Sequence, residues 1–175
     1  VNRIIEDVRF PIPRIDFLVD NMAKKRIKST IDQRESYTQI PVHKNSQRIL
    51  AFSTRTGKYT FAVLPYGLKI SGDLYCRRKQ SVMPNGGAGL LLWVFICSYV
   101  DDDGITTNTV TAHVFILIVI FDRFLYFGIT IRPAKCEFLK TELKFLGYLV
   151  GHNTIKPMPS RLEAIRAMPD KPKDM

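Results

Sequence analysis

Cysteine is scarce in this chain of 175 residues, which carries only Cys76, Cys97 and Cys136. The three are far apart, and none belongs to a Cys-x-x-Cys pair or a Cys/His cluster. This spacing argues against a structural zinc site and against a disulfide framework. We therefore expect three reduced thiols that act as packing residues in an intracellular protein, in either the cytoplasm or the nucleus.

Long apolar runs are also missing. The two longest, residues 88–100 and 114–121, are both well short of the roughly 20 residues that a membrane-spanning helix needs. The first ten residues are polar and charged, so they do not resemble a signal peptide. The two runs are better interpreted as a buried strand and a buried helix, and we expect no membrane partner.

Acidic residues are outnumbered, with 16 aspartates and glutamates against 26 lysines and arginines and a net charge of +10. This balance favours a polyanionic partner, either nucleic acid or a membrane surface, over a basic domain without such a partner. Apolar residues make up 46% of the chain, which is typical of a globular domain. The basic cluster at residues 24–28 is either a solvated loop or a phosphate contact.

The predicted elements of the first half combine helix and strand. Residues 14–22 have the apolar spacing of a helix, and residues 27–31 form a strand that leads to Asp32. An extended pattern resumes at residues 37–42. Turn residues at 54–58 predict that the two β-rich runs beside them pair as a hairpin, namely residues 49–53 and 59–64.

The second half is mixed in the same way, which indicates an α+β fold with an antiparallel sheet and helices to one side. Its predicted helices are residues 71–83 with Ser71 as N-cap, 111–127 with Gly128 as C-cap, and 160–168 with a capping box of Ser160 and Glu163. Its predicted strands are residues 90–99, 105–107, 138–139 and 144–150, the last two as short strands around a hairpin, with a loop at 84–89 after the first helix.

The most informative stretch is Tyr99-Val-Asp-Asp102, where a buried strand delivers two adjacent carboxylates at a turn. Adjacent carboxylates repel each other, and a divalent cation such as Mg²⁺ relieves that repulsion. The alternative is an ordinary surface turn, in which aspartate and glycine are common. Asp32 follows an apolar strand as Asp101 does, so it is a candidate third carboxylate, and its alternative role is a helix or turn cap.

Seven groups of residues follow one another in the order seen in reverse transcriptases. They are Arg9-Phe-Pro-Ile-Pro-Arg-Ile-Asp16, Ser29-Thr-Ile-Asp32 with Ser36-Tyr-Thr-Gln-Ile-Pro-Val42, Ala51-Phe-Ser-Thr54, Val63-Leu-Pro-Tyr-Gly-Leu68, Tyr99-Val-Asp-Asp102, Arg132-Pro-Ala-Lys-Cys-Glu-Phe-Leu139 and Phe145-Leu-Gly-Tyr148. Each group is weak evidence alone, but the ordered set is specific. Over nearly its whole length, the chain resembles the reverse transcriptases of gypsy-type LTR retrotransposons and their retroviral relatives.

The resemblance implies the fold of a polymerase palm, a ferredoxin-like antiparallel sheet with helices on one side, plus part of the fingers. Residues 1–172 would form a partial reverse transcriptase domain. Within it, residues 1–75 would belong to fingers and palm, and residues 76–168 to the palm, with a primer-grip hairpin near residues 144–150. Residues 169–175 would be a linker toward a thumb outside this chain.

The resemblance also implies an RNA-directed DNA polymerase, which adds deoxynucleotides to a primer 3′-hydroxyl by two-metal phosphoryl transfer. Its expected cofactors are two Mg²⁺ ions, with Mn²⁺ as a substitute. Its expected partners are an RNA or DNA template–primer, deoxynucleoside triphosphates, and a thumb and an RNase H domain of the same polyprotein. The alternative is an inactive, decayed or truncated fragment that only binds nucleic acid.

Individual roles follow for the residues that match the family. Asp32, Asp101 and Asp102 are the implied catalytic and metal-binding carboxylates. The nucleotide-binding positions are Gln33 through nearby backbone groups, Tyr37 as the aromatic that blocks a ribose 2′-hydroxyl, Tyr66, Gly67 and Lys135. The primer-grip positions are Leu146, Gly147 and Tyr148.

Three places depart from the family's pattern. Asp103-Gly104 stands where the family usually has an apolar pair, and we expect it to add charge repulsion and to weaken the second strand. The helix around residues 114–121 lacks a polar face. Gly72, Tyr75 and Cys76 stand where the family typically has proline, phenylalanine and glutamine.

Overall fold

The computed structural model describes residues 1–83, 95–166 and 168. In these residues the α-helices are α1 (Ile15–Ala23), α2 (Lys44–Gln47), α3 (Ser71–Val82), α4 (Val110–Phe127) and α5 (Pro159–Arg166). The strands are β1 (Ile27–Asp32), β2 (Phe52–Thr54), β3 (Gly57–Tyr59), β4 (Ile96–Tyr99), β5 (Asp102–Thr107), β6 (Glu137–Lys140), β7 (Leu143–Phe145), β8 (Tyr148–Gly151) and β9 (Thr154–Pro157). Short 3₁₀ helices occupy Ser36–Gln39, Arg48–Leu50 and Pro133–Lys135.

The central sheet has four strands in the order β4-β5-β1-β6, and every pairing in it is antiparallel. Strand β5 pairs with β1 from Ile27↔Thr107 to Asp32↔Asp102, and with β4 from Ile96↔Ile105 to Tyr99↔Asp102. Two smaller antiparallel sheets, β2-β3 and β7-β8-β9, complete the strands. This architecture confirms the predicted α+β class with an antiparallel sheet.

One face of the central sheet packs against α3 and α4. Ile31 and Ile105 from the sheet meet Val82, Ile116 and Ile120 from the helices in one buried cluster. Because side chains alternate between faces along a strand, Ile31, Ile105 and the residues two positions away point toward these helices. Burial of these aliphatic side chains is the main source of stability on this side of the molecule.

The opposite face of the sheet packs against α1 and the β7-β8-β9 sheet. Cys97 of β4 joins Met22, Phe145 and Val150 in a second buried cluster. Gly104 lies between these elements: a Cβ there would collide with Met22 Cε and come within 3.1 Å of Phe145 Cζ. Glycine at this position therefore lets the helix and the small sheet pack closely on β5.

Helix α4 confirms the prediction for residues 111–127. It starts at Thr109, whose Oγ1 accepts a hydrogen bond from the Ala112 N–H at 3.3 Å, and it ends at Gly128, which has a left-handed φ of 67°. Its outer face carries Phe115 and Leu125, the latter 82% exposed. Within the described residues it is the one helix whose length and composition would allow it to cross a membrane.

Several predicted boundaries are wrong. Residues 37–42 are not a continuous extended segment, because Glu35 adopts a left-handed φ of 45° and the Thr38 N–H bonds the Glu35 carbonyl at 2.9 Å, which starts a 3₁₀ helix. The predicted hairpin of 49–53 and 59–64 forms over a shorter span, from Phe52↔Tyr59 to Thr54↔Gly57. Residues 138–139 belong to β6, which pairs with β1 rather than with β7.

The helix caps also differ from prediction. Ser71 is the first residue of α3 rather than its cap, and its hydroxyl donates to the Pro65 carbonyl at 3.0 Å. Helix α5 begins at Pro159, so Ser160 lies inside its first turn, and proline is well suited to this first position. The predicted loop at 84–89, residues 90–94 of the strand predicted at 90–99, and the linker at 169–175 lie outside the described residues.

The cysteines are free thiols. Cys76 and Cys97 are buried, Cys136 is half-buried, and all three pack among other side chains as predicted. Burial raises the pKa of Cys97 to about 12, so that thiol stays protonated at neutral pH.

Candidate active site

Asp32 and Asp102 lie opposite each other at one end of the central sheet. Asp32 is the last residue of β1, Asp102 is the first residue of β5, and the two are register partners. Side chains of directly opposed residues project from the same face of an antiparallel pair. Asp101 precedes Asp102 in the turn that joins β4 to β5. The fold thus brings the three predicted carboxylates to one edge of the sheet.

One carboxylate oxygen of Asp32 accepts no hydrogen bond from the described residues. This Oδ1 atom is buried and has no hydrogen-bond partner within the described part of the chain. The nearest cation is the Arg132 guanidinium, whose Nη1 atom lies 3.9 Å from Oδ1. A buried carboxylate oxygen without a donor is costly, so this atom is suited to bind a cation.

The ionised carboxylate of Asp102 is disfavoured by its surroundings. Partial burial raises the pKa of its carboxyl, and repulsion by Asp101 raises it further. Asp32 and Asp103 also repel it, while Lys79 opposes them. Crowded carboxylates of this kind match the oxygen donors that divalent cations such as Mg²⁺ prefer. The donor set therefore fits a divalent cation.

The three carboxylates do not have the arrangement of a complete metal-binding site. In residues 1–83, 95–166 and 168, no three Asp, Glu, His or Cys side chains converge closely enough to hold a metal ion. Two carboxylates face each other across the strands, and the third is at the tip of the turn. The metal-binding roles of Asp32, Asp101 and Asp102 stay predictions.

A group of tyrosines lies beside the carboxylates. The Tyr37 ring makes edge-to-face contacts with Tyr66 at a centroid distance of 5.3 Å and with Tyr75 at 5.8 Å. Burial raises the pKa of the Tyr37 hydroxyl, and the charge of Asp101 adds to this effect. Tyr66 is 61% exposed, and Gly67 follows it with a φ of 85°. An exposed aromatic surface next to Asp101 is suited to a nucleotide base or sugar.

Two other predicted nucleotide-binding residues, Gln33 and Lys135, are close in the chain to the backbone contact between Asp32 and Arg132. Lys135 is exposed at the end of the 3₁₀ helix Pro133–Lys135, and the Arg132 N–H donates to the Asp32 carbonyl at 2.8 Å. Gln33 follows Asp32, but its side chain is buried and donates to Asp103 Oδ2 at 2.6 Å. The Gln33 side chain therefore has a structural contact, and the nucleotide role of the backbone groups near Gln33 stays a prediction.

The predicted primer-grip residues form a tight hairpin turn. Leu146 and Gly147 connect β7 to β8 with positive φ values of 48° and 84°, as a two-residue turn with two left-handed residues requires. Tyr148 pairs with Phe145 across this turn. Because Phe145 packs beside Gly104, which projects to the same face as Asp102, this hairpin and the carboxylates belong to one side of the sheet.

Comparison with known proteins identifies the family. Residues 1–150 match the family model described as reverse transcriptase (RNA-dependent DNA polymerase). The chain belongs to the reverse transcriptase family. The members of this family are RNA-directed DNA polymerases, a class of nucleotidyltransferases.

The related proteins are polyproteins of transposons and viruses. The chain is 30% identical over 174 residues to the retrovirus-related Pol polyprotein from transposon 297 of Drosophila melanogaster. The aligned region covers 99% of the chain and 16% of that polyprotein. It is 26% identical over 162 residues to the polyprotein from transposon gypsy of the same organism, with 93% and 15% covered. The enzymatic polyprotein of Cauliflower mosaic virus (strain Strasbourg) is 27% identical over 165 residues, with 94% and 23% covered.

Solved structures share the fold. The foamy viral protease–reverse transcriptase dRH in complex with double-stranded DNA superposes with a TM-score of 0.87 and 24% identity, covering 97% of this chain and 29% of that one. The foamy viral protease–reverse transcriptase in complex with an RNA/DNA hybrid gives a TM-score of 0.83 and 24% identity, with 97% and 22% covered. The chain spans under a third of each relative's length.

The predicted weakening of β5 by Asp103 and Gly104 in this reverse transcriptase chain is wrong, whereas the predicted charge repulsion is present, since Asp103 contributes to the raised pKa of Asp102. Asp103 does not add an unpaired charge to the turn, because it points to the face opposite Asp102, is 1% exposed and pairs with Lys79 Nζ at 2.8 Å. Strand β5 continues through Asp103 and Gly104 to Thr107 without a break.

Sequence reasoning did not assign a role to Lys79, Ser98 or Arg132. Strand alternation predicts that Asp103 and Asp102 face opposite ways, so the sequence carried a signal for a buried acid at this point. Its partner Lys79 lies on α3, far away along the chain. Nothing in the local sequence pattern links that lysine to the turn.

The basic cluster at residues 24–28 does not lie on the surface as a whole. Lys28 is buried, and its Nζ atom donates to the Lys25 carbonyl at 2.6 Å.

Proposed function

We propose that this chain is the catalytic core of an RNA-directed DNA polymerase from a retrotransposon polyprotein. It would add deoxynucleotides to the 3′-hydroxyl of a primer by phosphoryl transfer. The observation that carries this proposal is the pairing of Asp32 with Asp102 across β1 and β5, with Asp101 next to them, in a member of the reverse transcriptase family.

The carboxylates would serve as the ligands of two Mg²⁺ ions. Bound there, Mg²⁺ lowers the pKa of the attacking hydroxyl and neutralises charge on the phosphates of the nucleotide. The chain's own part is to hold its oxygens in place. Asp32 offers its unpartnered Oδ1 atom, and Asp102 offers a carboxylate that its neighbours repel.

The aromatic residues would select and orient the nucleotide. Tyr37 is fixed between Tyr66 and Tyr75, so its ring has little freedom to move away from an incoming sugar. A rigid ring at that place would exclude a ribose 2′-hydroxyl by steric contact. The hairpin at Leu146 and Gly147 would support the primer end on the same side of the sheet.

The basic surface would hold template and primer through their phosphates. A net charge of +10 supports binding to a polyanion that is independent of sequence and weakens with salt. The foamy viral structures that share this fold hold double-stranded DNA and an RNA/DNA hybrid. We infer that a primer–template duplex is the partner of this chain as well, with deoxynucleoside triphosphates as substrates and the thumb and RNase H domain of the polyprotein alongside.

Primer extension on an RNA template tests the proposal, with this chain and with a polypeptide that extends it at both ends. In the extended polypeptide we expect incorporation that depends on Mg²⁺ or Mn²⁺ and is abolished by Asp101→Asn, and in the isolated chain we expect little or none. Asp20→Asn is the matched control, because it removes the same charge from the exposed side of α1. Incorporation that persists in the Asp101 variant would refute the assignment.

A second candidate is a nucleic-acid-binding domain without catalysis. The observation in its favour is that the three carboxylates do not converge on a metal position within the described residues. It predicts salt-sensitive binding of primer–template that is the same with Mg²⁺ and with EDTA. Tight nucleotide binding that requires Mg²⁺ would exclude it.

A further inference from the structure

A buried polar network lies behind the candidate active site, on the face of the sheet opposite Asp102. At its centre, the Asp103 carboxylate pairs with Lys79 Nζ at 2.8 Å. It also accepts hydrogen bonds from Ser98 Oγ at 2.7 Å and from Gln33 Nε2 at 2.6 Å. Three donors, from α3, from β4 and from the residue after β1, therefore converge on one buried acid.

Lys79 reaches beyond this pair to the turn itself. Its Nζ atom also donates to the Val100 carbonyl at 2.6 Å. Val100 has a φ of 41°, a left-handed conformation that β-branched residues rarely adopt. Such backbone strain persists only where the surrounding structure holds it. The hydrogen bond from Lys79 stabilises this conformation at Val100, the residue directly before Asp101.

The same network reaches the second strand of the site. Gln33 follows Asp32 in the chain, and the Tyr75 hydroxyl donates to Gln33 Oε1 while Gln33 itself donates to Asp103. Asp103 is in turn the neighbour of Asp102. The two strand ends that carry the opposed carboxylates are thus joined through one buried acid and its hydrogen bonds.

The geometry points to a positioning role for Lys79 and Asp103. We propose that this pair holds the turn of residues 99–102 in the conformation in which its carboxylates bind metal. A buried ion pair contributes little net stability compared with apolar side chains of similar size. An apolar pair would fill the space, but it could not donate to the Val100 carbonyl. The proposal rests on the proposed function, since it assigns a task at the same site.

A double substitution separates this role from simple packing. Lys79→Met alone leaves the buried Asp103 without its cation, so that variant is expected to unfold easily. Combining Lys79→Met with Asp103→Asn removes both charges, keeps the net charge of the chain and leaves an amide oxygen that can still accept from Ser98 and Gln33. The matched control is Lys69→Met with Asp7→Asn, which removes an ion pair of 2.8 Å between more exposed side chains away from the turn.

Hydrogen–deuterium exchange of the 175-residue chain is the first measurement. In the Lys79/Asp103 double variant, we expect the melting temperature to stay close to that of the original chain. The amides of residues 99–102 should nevertheless exchange at least about tenfold faster, because the turn loses its charged donor. The Lys69/Asp7 control should leave these amides unchanged.

Mn²⁺ affinity, measured by titration with Mn²⁺ alone, is the second readout. We expect the double variant to bind about tenfold more weakly than the original chain, although both carry the same net charge. The positioning role would be overturned if the amides of residues 99–102 exchanged as slowly in the double variant as in the original chain. If the original chain fails to bind Mn²⁺, the proposed function is contradicted, and the exchange rates still decide the role of Lys79 and Asp103.

Discussion

Replacement of Asp102 by asparagine should stabilise the metal-free protein, because the carboxylate is unfavourably placed when it is ionised. Burial raises its pKa, and repulsion by Asp101 raises it further. A carboxyl whose pKa is higher in the folded chain than in the unfolded chain favours folding below the unfolded pKa. That contribution is lost as the pH rises through the folded pKa. The asparagine variant should therefore gain stability at neutral pH and gain none in acid.

The expected size of this gain is modest. Asp102 is exposed on its solvent side, and water screens the repulsion, so removing the charge should add about 0.5 kcal/mol to the free energy of unfolding. For a chain of this length, that corresponds to a rise of about 1–2 °C in the melting temperature. Mg²⁺ should reverse the order of stability, so that the original chain is more stable than the Asp102→Asn variant. A ligand present at ten times its Kd stabilises the folded state by about 1.4 kcal/mol, and the variant lacks one of the proposed ligands.

Thermal unfolding of the original chain, Asp102→Asn and the control Asp20→Asn provides the assay. It is run at about pH 7 and about pH 3, each with EDTA and with Mg²⁺. In EDTA the Asp102 variant should melt higher at neutral pH and equally in acid. With Mg²⁺ at neutral pH the original chain should melt higher. A lower melting temperature for the variant in EDTA would refute the electrostatic argument. An equal rise of all three with Mg²⁺ would refute the metal assignment.

Three further predictions concern packing, protonation and substrate choice. Gly104→Ala should reduce the free energy of unfolding by about 1–3 kcal/mol in urea denaturation, because the added Cβ meets Met22 and Phe145; unchanged stability would contradict that packing. Burial lowers the pKa of His113, so its contribution is present above about pH 6.5 and is lost as the pH falls. His113→Gln should flatten the pH profile of the melting temperature between about pH 7 and 5, and an equally steep profile would count against this. Tyr37→Val should raise ribonucleotide incorporation relative to deoxynucleotides by at least about tenfold, and an unchanged ratio would exclude the steric role.

Elements with strong local signals could be predicted from the sequence. The strand ending at Asp32 and the helix ending before Gly128 have apolar periodicity and, for the helix, a glycine that suits a left-handed C-cap. Other segments depend on backbone conformations that their residue types disfavour. Glu35 and Leu146 both adopt positive φ values, and neither residue type indicates this. The prediction therefore failed around Ser36–Gln39, and it merged β7 and β8 into one strand.

The candidate site shows the same division between local and distant information. Asp101 and Asp102 could be located because they end a buried apolar run, and Asp32 because it follows a strand. Their opposition across β1 and β5 depends on strand register, which the structure shows and the local sequence pattern does not indicate. The partner of Asp103 could not be found in this way. Lys79 is on a separate helix, and its apolar stem and buried ammonium group leave no periodic signal in the sequence.

The departure of this chain from the family pattern is compatible with an intact site because strand alternation separates the charges. Asp102 faces the side of the candidate active site, whereas Asp103 faces the helices, where Lys79 balances its charge. A metal bound at Asp32 and Asp102 would therefore mainly neutralise the charge of the three candidate carboxylates Asp32, Asp101 and Asp102, rather than of four. Loss of either Lys79 or Asp103 alone would leave a buried charge without its partner, at a cost of about 3–5 kcal/mol. Lys79 and Asp103 are thus physically interdependent, and together they provide a hydrogen bond to the Val100 carbonyl that an apolar pair could not make.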